Sequence, residues 1–438
     1  MRRRSRAPPP DIFFPHADSA GRGYHAPVSD LSRDAYQTLD DGDPLASFRA
    51  RFAIPEGVLY LDGNSLGPLS FAAADRVERT LAGEWGVGLI RSWNSAGWID
   101  LPRKVARKIA PLIGASTDEV AVSDSTSVNL FKLVSAALRL RPGRRIVLSE
   151  PENFPTDLYI ADGAARSAGA RVELLPIDRL LLSIDGDTAL VMLTHIDFKT
   201  GRVHDLERIT RAAHANGALV LWDLSHSIGA MPLDLSKAGA DLAVGCTYKY
   251  LNGGPGSPAF AFVAARHHGT LESPLTGWMG HARPFDFAPA YAPARGIDRL
   301  LCGTPPVLSL AALDAAIDVF AEVDMTALRK KSMALGDRFI ALVEARCARW
   351  GLELASPRDA AMRGSQVSFR HPESYALKQA LIARNVIGDF RAPDIIRFGF
   401  GPLYIRFADI WDAVDALERV LAGREWDRPE HRAREAVT

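Results

Sequence analysis

The residues that could do chemistry stand at the ends of apolar runs. Thr194 and His195 follow ALVML, Asp223 and His226 follow ALVLW, and Tyr248 and Lys249 follow DLAVGC, after which a loop carries Gly253, Gly254 and Gly256. In open α/β sheets ligands bind beyond the carboxyl ends of the strands, so polar residues there carry the most weight. An aspartate at one strand end, a lysine at the end of the next and a glycine-rich loop behind it are what pyridoxal phosphate requires. Its aldehyde is held as a Schiff base by a lysine amine, and its ring nitrogen must stay protonated for the ring to take up electrons. A carboxylate ~4 Å from that nitrogen favours the protonated form by about 4 kcal/mol at an effective dielectric of about 20. Asp223 suits this task and Lys249 the other, while the three glycines let the backbone approach cofactor or substrate without a Cβ.

Singly, each residue has a plainer explanation: Asp223 as a helix N-cap, Lys249 as a surface lysine in a turn. A phosphate site elsewhere in the chain changes the balance. In DSTSVNLFKL the hydroxyls of Ser125, Thr126 and Ser127 precede an apolar helix expected to begin near Val128, and free N–H groups at a helix N-terminus bind phosphate. A Ser/Thr-rich cap alone is common and would carry little. A rival chemistry comes from Gly63-Asn64-Ser65-Leu66-Gly67, which matches the GxSxG nucleophile elbow of serine hydrolases, after VLYLD and before an expected helix. An elbow normally follows several strands and an oxyanion loop, however, and Pro68 fixes a turn just beyond the serine. No GxGxxG follows a strand, and neither GxxxxGK[ST] nor HExxH occurs.

The elements needed to position these residues are visible as alternating periods from about residue 58 to 265, which predict an α/β domain with a mostly parallel sheet. The best strands are Arg145 to Glu150, Ala189 to His195, Ala218 to Asp223 and Asp241 to Cys246. In the helix before Ala218, Leu206, Ile209 and Ala213 share a face and Gly217 can serve as C-cap. From about residue 308 the texture changes to alanine-rich helices and then to a smaller βαβ-like unit: QVSFR, a helix through Tyr375 to Arg384, IIRFGF and a last helix after Asp409. The expected division is a mobile extension over 1–28, a segment over 29–57 packing with the small domain, a large domain over 58–307 and a small C-terminal domain over 308–438.

Composition narrows the field. The 438 residues hold 52 Lys plus Arg against 52 Asp plus Glu, so nothing points to a nucleic-acid partner, and the four arginines near the start read as a solvated tail. Apolar runs such as GALVLW stop well short of the ~20 residues that span a bilayer, so no membrane partner is expected. Cys246, Cys302 and Cys347 are widely spaced, offer neither a disulfide framework nor a metal site, and fit a reducing cytoplasm.

Five strings in order, YLDGNSLGPLS (Tyr60 to Ser70), NFPTD (Asn153 to Asp157), DLSHSIG with TYKYLNGGPG, GWMGH (Gly277 to His281) and RFGFGPLY (Arg397 to Tyr404), together resemble the kynureninase family. The likeness covers about residues 30 to 425. It implies the fold-type I, class V architecture of pyridoxal-phosphate enzymes: a large domain with a mostly parallel seven-stranded sheet and a smaller C-terminal α/β domain. It implies hydrolysis of L-kynurenine to anthranilate and L-alanine in tryptophan catabolism, by a homodimer with a shared active site.

By similarity, Lys249 carries the cofactor, Asp223 pairs with the pyridine nitrogen and Phe154 stacks on the ring. Thr126, Ser127 and Tyr248 hold the phosphate, while Pro155, Thr156, Asp157, Thr194 and His226 complete the ring's surroundings. Trp278 and Thr304 look like residues contributed from the neighbouring subunit. Arg397 resembles the arginine that grips the substrate α-carboxylate, and Asn64 and Ser65 lie near the substrate. Tyr248 is the candidate acid for the final protonation. Two departures bear on substrate choice: Thr304 stands where animal members have Asn, and GVGLIRSW lacks a His they carry. Both favour L-kynurenine over its 3-hydroxy form. Cysteine desulfurase is the nearest alternative of the same class, but neither Cys302 nor Cys347 lies where a mobile catalytic cysteine is expected.

Overall fold

The computed structural model describes residues 30–434; the expected extension over 1–28 lies outside them. Seven strands form the central sheet: β1 (Val120–Val122), β2 (Ile146–Ser149), β3 (Arg171–Leu174), β4 (Thr188–Thr194), β5 (Leu219–Asp223), β6 (Leu242–Gly245) and β7 (Phe260–Val263). Their spatial order is β1-β7-β6-β5-β4-β2-β3. Only β7 runs against its neighbours, β1 and β6. Every residue of β4, β5 and β6 is buried, which explains why these strands read as unbroken apolar runs rather than as alternating ones. Separate apolar clusters cover the two faces, one centred on Val191, Val220 and Trp222, the other on Leu190, Leu219 and Leu221.

Among the helices are α1 (Arg33–Asp41), α2 (Thr126–Leu140), α3 (Pro155–Ser167), α4 (Leu206–Ala215), α5 (Met325–Cys347) and α6 (Phe407–Ala422). In α4, Ile209 and Ala213 are buried as expected and Leu206 is half-buried. The C-cap is Asn216 rather than Gly217; the glycine sits one residue beyond it, at φ +73°, the left-handed position where the missing Cβ matters.

The C-terminal sheet has strands β8 (Glu353–Leu354), β9 (Gln366–Arg370), β10 (Asp389–Arg391) and β11 (Ile395–Gly399), in the order β10-β11-β9-β8. This corrects the βαβ-like reading, because β9 and β11 pair antiparallel. The reversal comes from a hairpin that the sequence pattern hid: β10 turns directly into β11 and sets Asp389 opposite Arg397. Phe339 of α5 packs against Phe398 and Phe400, with ring centroids 4.8 and 5.4 Å apart. The last helix begins at Phe407, before Asp409, because Asp409 folds back to accept from the Arg406 backbone N–H at 2.9 Å.

Two segments stitch the N-terminal part of the chain to this sheet. In α1, Asp40 accepts hydrogen bonds from the backbone N–H groups of Phe407 (2.6 Å) and Ala408 (2.9 Å) at the start of α6. Further on, Leu59 and Tyr60 pair in parallel with Val386 and Ile387.

Candidate active site

The register of the central sheet assembles the site. Thr194 of β4 lies opposite Asp223 of β5, and Asp223 is paired with Val244 of β6. The chain then leaves β6 at Gly245 and reaches Tyr248 and Lys249 within a few residues. A cavity of about 320 Å³ opens beyond these strand ends. Thr194, Asp223, His226, Tyr248 and Lys249 line it from the sheet side, Thr126 and Ser127 from the start of α2, and Phe154, Thr156 and Asp157 from the start of α3.

Helix α2 begins at Thr126, two residues before the expected Val128, because Ser125 is its N-cap and accepts from Val128 N–H at 3.3 Å. Thr126 and Ser127 therefore occupy the first turn, where backbone N–H groups have no partner inside the helix. Their donors and hydroxyls face the cavity as an anion site, whereas the Ser125 hydroxyl is committed to the cap. Pro155 occupies the first position of α3, where its lack of an N–H costs nothing; it shapes the turn and does not line the cavity. Asn153 ties that turn to the sheet, its Oδ1 accepting from Thr194 N–H at 2.8 Å.

Charge in the cavity is finely divided. Burial, reinforced by the neighbouring Asp223 carboxylate, pushes Asp157 well above the usual carboxylate range. Burial also raises Asp223, but the Ser225 backbone N–H donates to its Oδ1 at 2.8 Å and the Lys249 charge opposes the rise. Asp157 is thus the member of the pair pushed higher, with Asp223 as its neighbour. His226 is held well below its ordinary value by burial and then by the charges of Lys249 and Arg397. Gln366 donates its amide N–H to Phe198 O at 3.1 Å, so its Oε1 accepts from His226 Nδ1 at 2.9 Å and the imidazole is neutral with Nδ1 protonated. Burial likewise pushes the Tyr248 phenol up, so it stays protonated. The Lys249 ammonium lies 5.9 Å from the centroid of the Tyr248 ring.

Two buried cavity atoms, Asp157 Oδ2 and Thr194 Oγ1, have no hydrogen-bond partner, a state that is costly unless a ligand completes it. Unpartnered polar atoms beside a buried aspartate, a helix N-terminus, a lysine amine and the Phe154 ring fit pyridoxal phosphate. Phe154 is 37 % exposed and meets Phe198 edge to face at 5.2 Å.

Other expected site residues stand apart from this cavity. Thr304 lines an adjoining one of about 380 Å³ that shares Ser125, Thr126 and Tyr248 with the first. Trp278 lines neither, and packs instead against Phe285 and Phe287. His195 turns away from the cavity, bonding Ser227 Oγ through Nδ1 at 2.8 Å. The loop glycines are also required by the fold itself. Gly253 is excluded from bearing a Cβ by Ser257 and Leu313, and Gly254 and Gly256 are needed for positive φ.

Arg397, Asn64 and Ser65 form a second centre beside the cavity. Arg397 Nη1 donates to Phe198 O, and Phe198 itself lines the cavity. The Asn64 amide, with its oxygen turned to the guanidinium, accepts from Arg397 Nε at 2.8 Å and Nη2 at 3.1 Å. Asp62, Asp389 and Arg391 belong to the same centre and were missed from sequence. The only signal for Asp389 and Arg391 was a pair of charged residues in a run, GDFR, that otherwise reads as a loop, and Asp62 stood unassigned inside YLDGNSLGPLS. Ser65 donates to Asp389 Oδ2 at 2.6 Å and accepts from Arg397 and Arg391 at 3.1 and 3.2 Å. No imidazole is among its partners, and the next helix starts only at Phe71, so the hydrolase reading of GNSLG loses its context.

The glycines of GNSLG and of RFGFGPLY interlock. A Cβ on Gly63 would strike Tyr404, one on Gly399 would strike Asn64, and one on Gly67 would strike the carbonyl of Lys249. Gly67 N–H also donates to Tyr248 O at 2.8 Å.

This fold is that of fold-type I pyridoxal-phosphate enzymes. The chain superposes on the apo structure of a cysteine desulfurase from Thermococcus onnurineus NA1 with a TM-score of 0.74 at 18% identity, covering 86% of this chain and 98% of that one. It also superposes on the cystine C–S lyase C-DES in complex with its reaction product cysteine persulfide, with a TM-score of 0.69 at 17% identity, over 85% and 98% of the two chains. Within that class the sequence is decisive. The chain is 53% identical to the kynureninases of Burkholderia mallei (strain ATCC 23344) and Pseudomonas fluorescens, in each case over 414 residues, 93% of this chain and all of the other. Residues 328–417 match the kynureninase C-terminal domain. The chain belongs to the kynureninase family.

Proposed function

We propose that the chain hydrolyses the Cβ–Cγ bond of L-kynurenine, with pyridoxal phosphate as cofactor, to give anthranilate and L-alanine. The observation that carries this reading is the set Asp223, Lys249 and the α2 N-terminus around one cavity, in a chain alike over its whole matched length to kynureninases. The cofactor, when bound, supplies a protonated pyridine ring that takes up electrons from the substrate's Cα and allows negative charge to rest at Cβ.

The chain's own residues supply the rest. Asp223 keeps the ring nitrogen protonated, and Asp157, the carboxyl that burial pushes higher, stands beside it. Thr126, Ser127 and Tyr248 hold the phosphate, Phe154 covers the ring face, and Thr156, Thr194 and His226 shape its edge, with Pro155 setting the turn behind them. Lys249 Nζ anchors the cofactor and then removes the Cα proton. Water adds to the γ-carbonyl carbon and the hydrate gives up a proton to solvent; the Cβ–Cγ bond then breaks with its electron pair left on Cβ, the γ-carbon leaves as the carboxyl of anthranilate, and Tyr248 Oη, protonated because it is buried, donates to Cβ and regains a proton from solvent. Arg397, with Asn64 and Ser65 beside it, takes the α-carboxylate through the fork geometry of a guanidinium.

The working unit in this reading is a cytoplasmic homodimer in which Trp278 and Thr304 complete the neighbour's site. Leu81, Trp85, Val87, Leu89 and Ile90 are 49–76 % exposed, an apolar face of a kind that soluble chains usually cover. No helix among the described residues is long and apolar enough to cross a membrane. The domain division of the reading is 58–307 and 308–438, with 29–57 belonging to the smaller unit. Thr304, and a GVGLIRSW stretch without histidine, favour L-kynurenine over the 3-hydroxy compound. The test is purified protein with added cofactor, given each compound in turn while anthranilate fluorescence is followed. No product from either would overturn the reading.

A further inference from the structure

Arg397 is 1 % exposed. Asp389 takes one side edge of its guanidinium, accepting from Nε at 2.8 Å through Oδ1 and from Nη2 through Oδ2. On that edge a bidentate bond fixes both the position and the plane of the fork. Nη1 has a single acceptor among the described residues, the carbonyl of Phe198, so the end of the fork facing the cavity wall retains donor capacity. The hairpin of β10 and β11 makes this possible, because Asp389 and Arg397 are directly paired across it. Arg391 also binds Asp389 Oδ2, at 2.9 Å, so one carboxylate holds two cations, and Ser65 Oγ touches all three side chains.

We propose that Asp389 is the positioning residue of the substrate's carboxylate site: it clamps Arg397 from the side, with Arg391 as the second cation, so that the free end of the fork meets the α-carboxylate. This rests on the functional reading above. Charge supports it. Burial and the adjacent Asp389 push Asp62 up to about 8, whereas Asp389, despite burial, is held low by Arg397 and Arg391. With Asp62 protonated, two guanidiniums face one carboxylate, leaving a single positive charge in excess for a single incoming carboxylate. The arrangement also separates the jobs of the two centres. Asp389 touches neither the Lys249 cavity nor the reacting atoms, so its loss should weaken binding of the carboxylate rather than slow the chemistry.

The experiment uses cofactor-loaded enzyme and two ligands: L-kynurenine, and kynuramine, which is the same molecule without its carboxylate. For Asp389→Asn the KM for L-kynurenine is expected to rise about tenfold or more, with kcat reduced less than about threefold and the competitive Ki of kynuramine within twofold of wild type. A KM that stays the same or falls would overturn the proposal, as would an equal loss of affinity for kynuramine. Should Asp389→Asn fail to fold, Arg391→Gln carries the same test, since it removes the second cation held by the Asp389 carboxylate and no group placed at the substrate. Its KM for L-kynurenine is expected to rise about threefold to tenfold with the Ki of kynuramine again unmoved, and an unchanged KM overturns the proposal. Wild-type protein without turnover would overturn the functional reading instead, whereas wild-type turnover with an unchanged KM in the variants overturns this proposal alone.

Discussion

Lys249 and Tyr248 are adjacent in the chain and carry separable duties, which makes them distinguishable by substitution. Lys249→Ala is expected to lose the visible absorbance of the lysine-bound cofactor and essentially all anthranilate production, read by absorption spectroscopy and fluorescence. Tyr248→Phe should keep the absorbance but lower kcat by about 10²–10⁴-fold, the usual contribution of a positioned acid. Wild-type turnover in that variant would remove Tyr248 from the proton-transfer step. Asp157 and Asp223 illustrate a limit of reading residues singly. Both are buried in one cavity, yet burial and the neighbouring carboxylate push Asp157 well above the usual range, whereas the rise of Asp223 is opposed. Which is pushed higher depends on the Ser225 N–H and the Lys249 charge, neither of which spacing reveals.

Among the elements, the short turns matter more than the long helices. Gly67 lies against the carbonyl of Lys249, so Gly67→Ala must push the cofactor-bearing loop away from the strand ends. We expect that variant to fold but to bind cofactor weakly, seen as loss of visible absorbance on gel filtration. Ser125→Ala removes the cap of α2 and should cost about 1 kcal/mol of stability, measured by denaturant unfolding, and weaken cofactor retention because the phosphate-facing turn frays. Four of the seven central strands were legible as unbroken apolar runs and the α4 helix by its apolar period, whereas the strands at Val120–Val122, Arg171–Leu174 and Phe260–Val263 were not singled out. Nor was the β10–β11 hairpin: β10 has three residues, too few for any period to register, and its pairing is set by a partner strand rather than by its own composition.

For the whole molecule, the exposed apolar face is the feature that the single chain leaves unexplained. Ile90 is 76 % exposed; Ile90→Asp should give a monomer in sedimentation and, if Trp278 and Thr304 serve the neighbour, lose most activity with the fold intact. A dimeric, fully active variant would place the interface elsewhere. Acid stability should centre on Asp241 at the opposite end of the sheet, which accepts from His267 at 2.8 Å, from His214 and Arg266 at 2.7 Å, and from Val220 N–H at 2.9 Å. Burial pushes its carboxyl up, but these bonds outweigh it and hold it below the usual range. A depressed carboxylate contributes fully above its unfolded value of ~3.9 and is lost as pH falls through the folded value. Asp241→Asn should therefore destabilise by about 2 kcal/mol at neutral pH, with the gap to wild type closing below about pH 4.

Taken alone, the sequence was enough to set the class of fold, the lysine and aspartate at neighbouring strand ends, and the helix start that suits a phosphate. Each of these depends on interactions local in the chain: an apolar period, a cap, a turn. Only the tertiary structure decided that GNSLG and RFGFGPLY are one unit, that Asp389 stands opposite Arg397, and which of two buried aspartates is pushed higher. The first arises from contacts across more than 300 residues, the second from a hairpin too short to show a period, and the third from the low dielectric of a buried site, where a charge is set by whatever surrounds it.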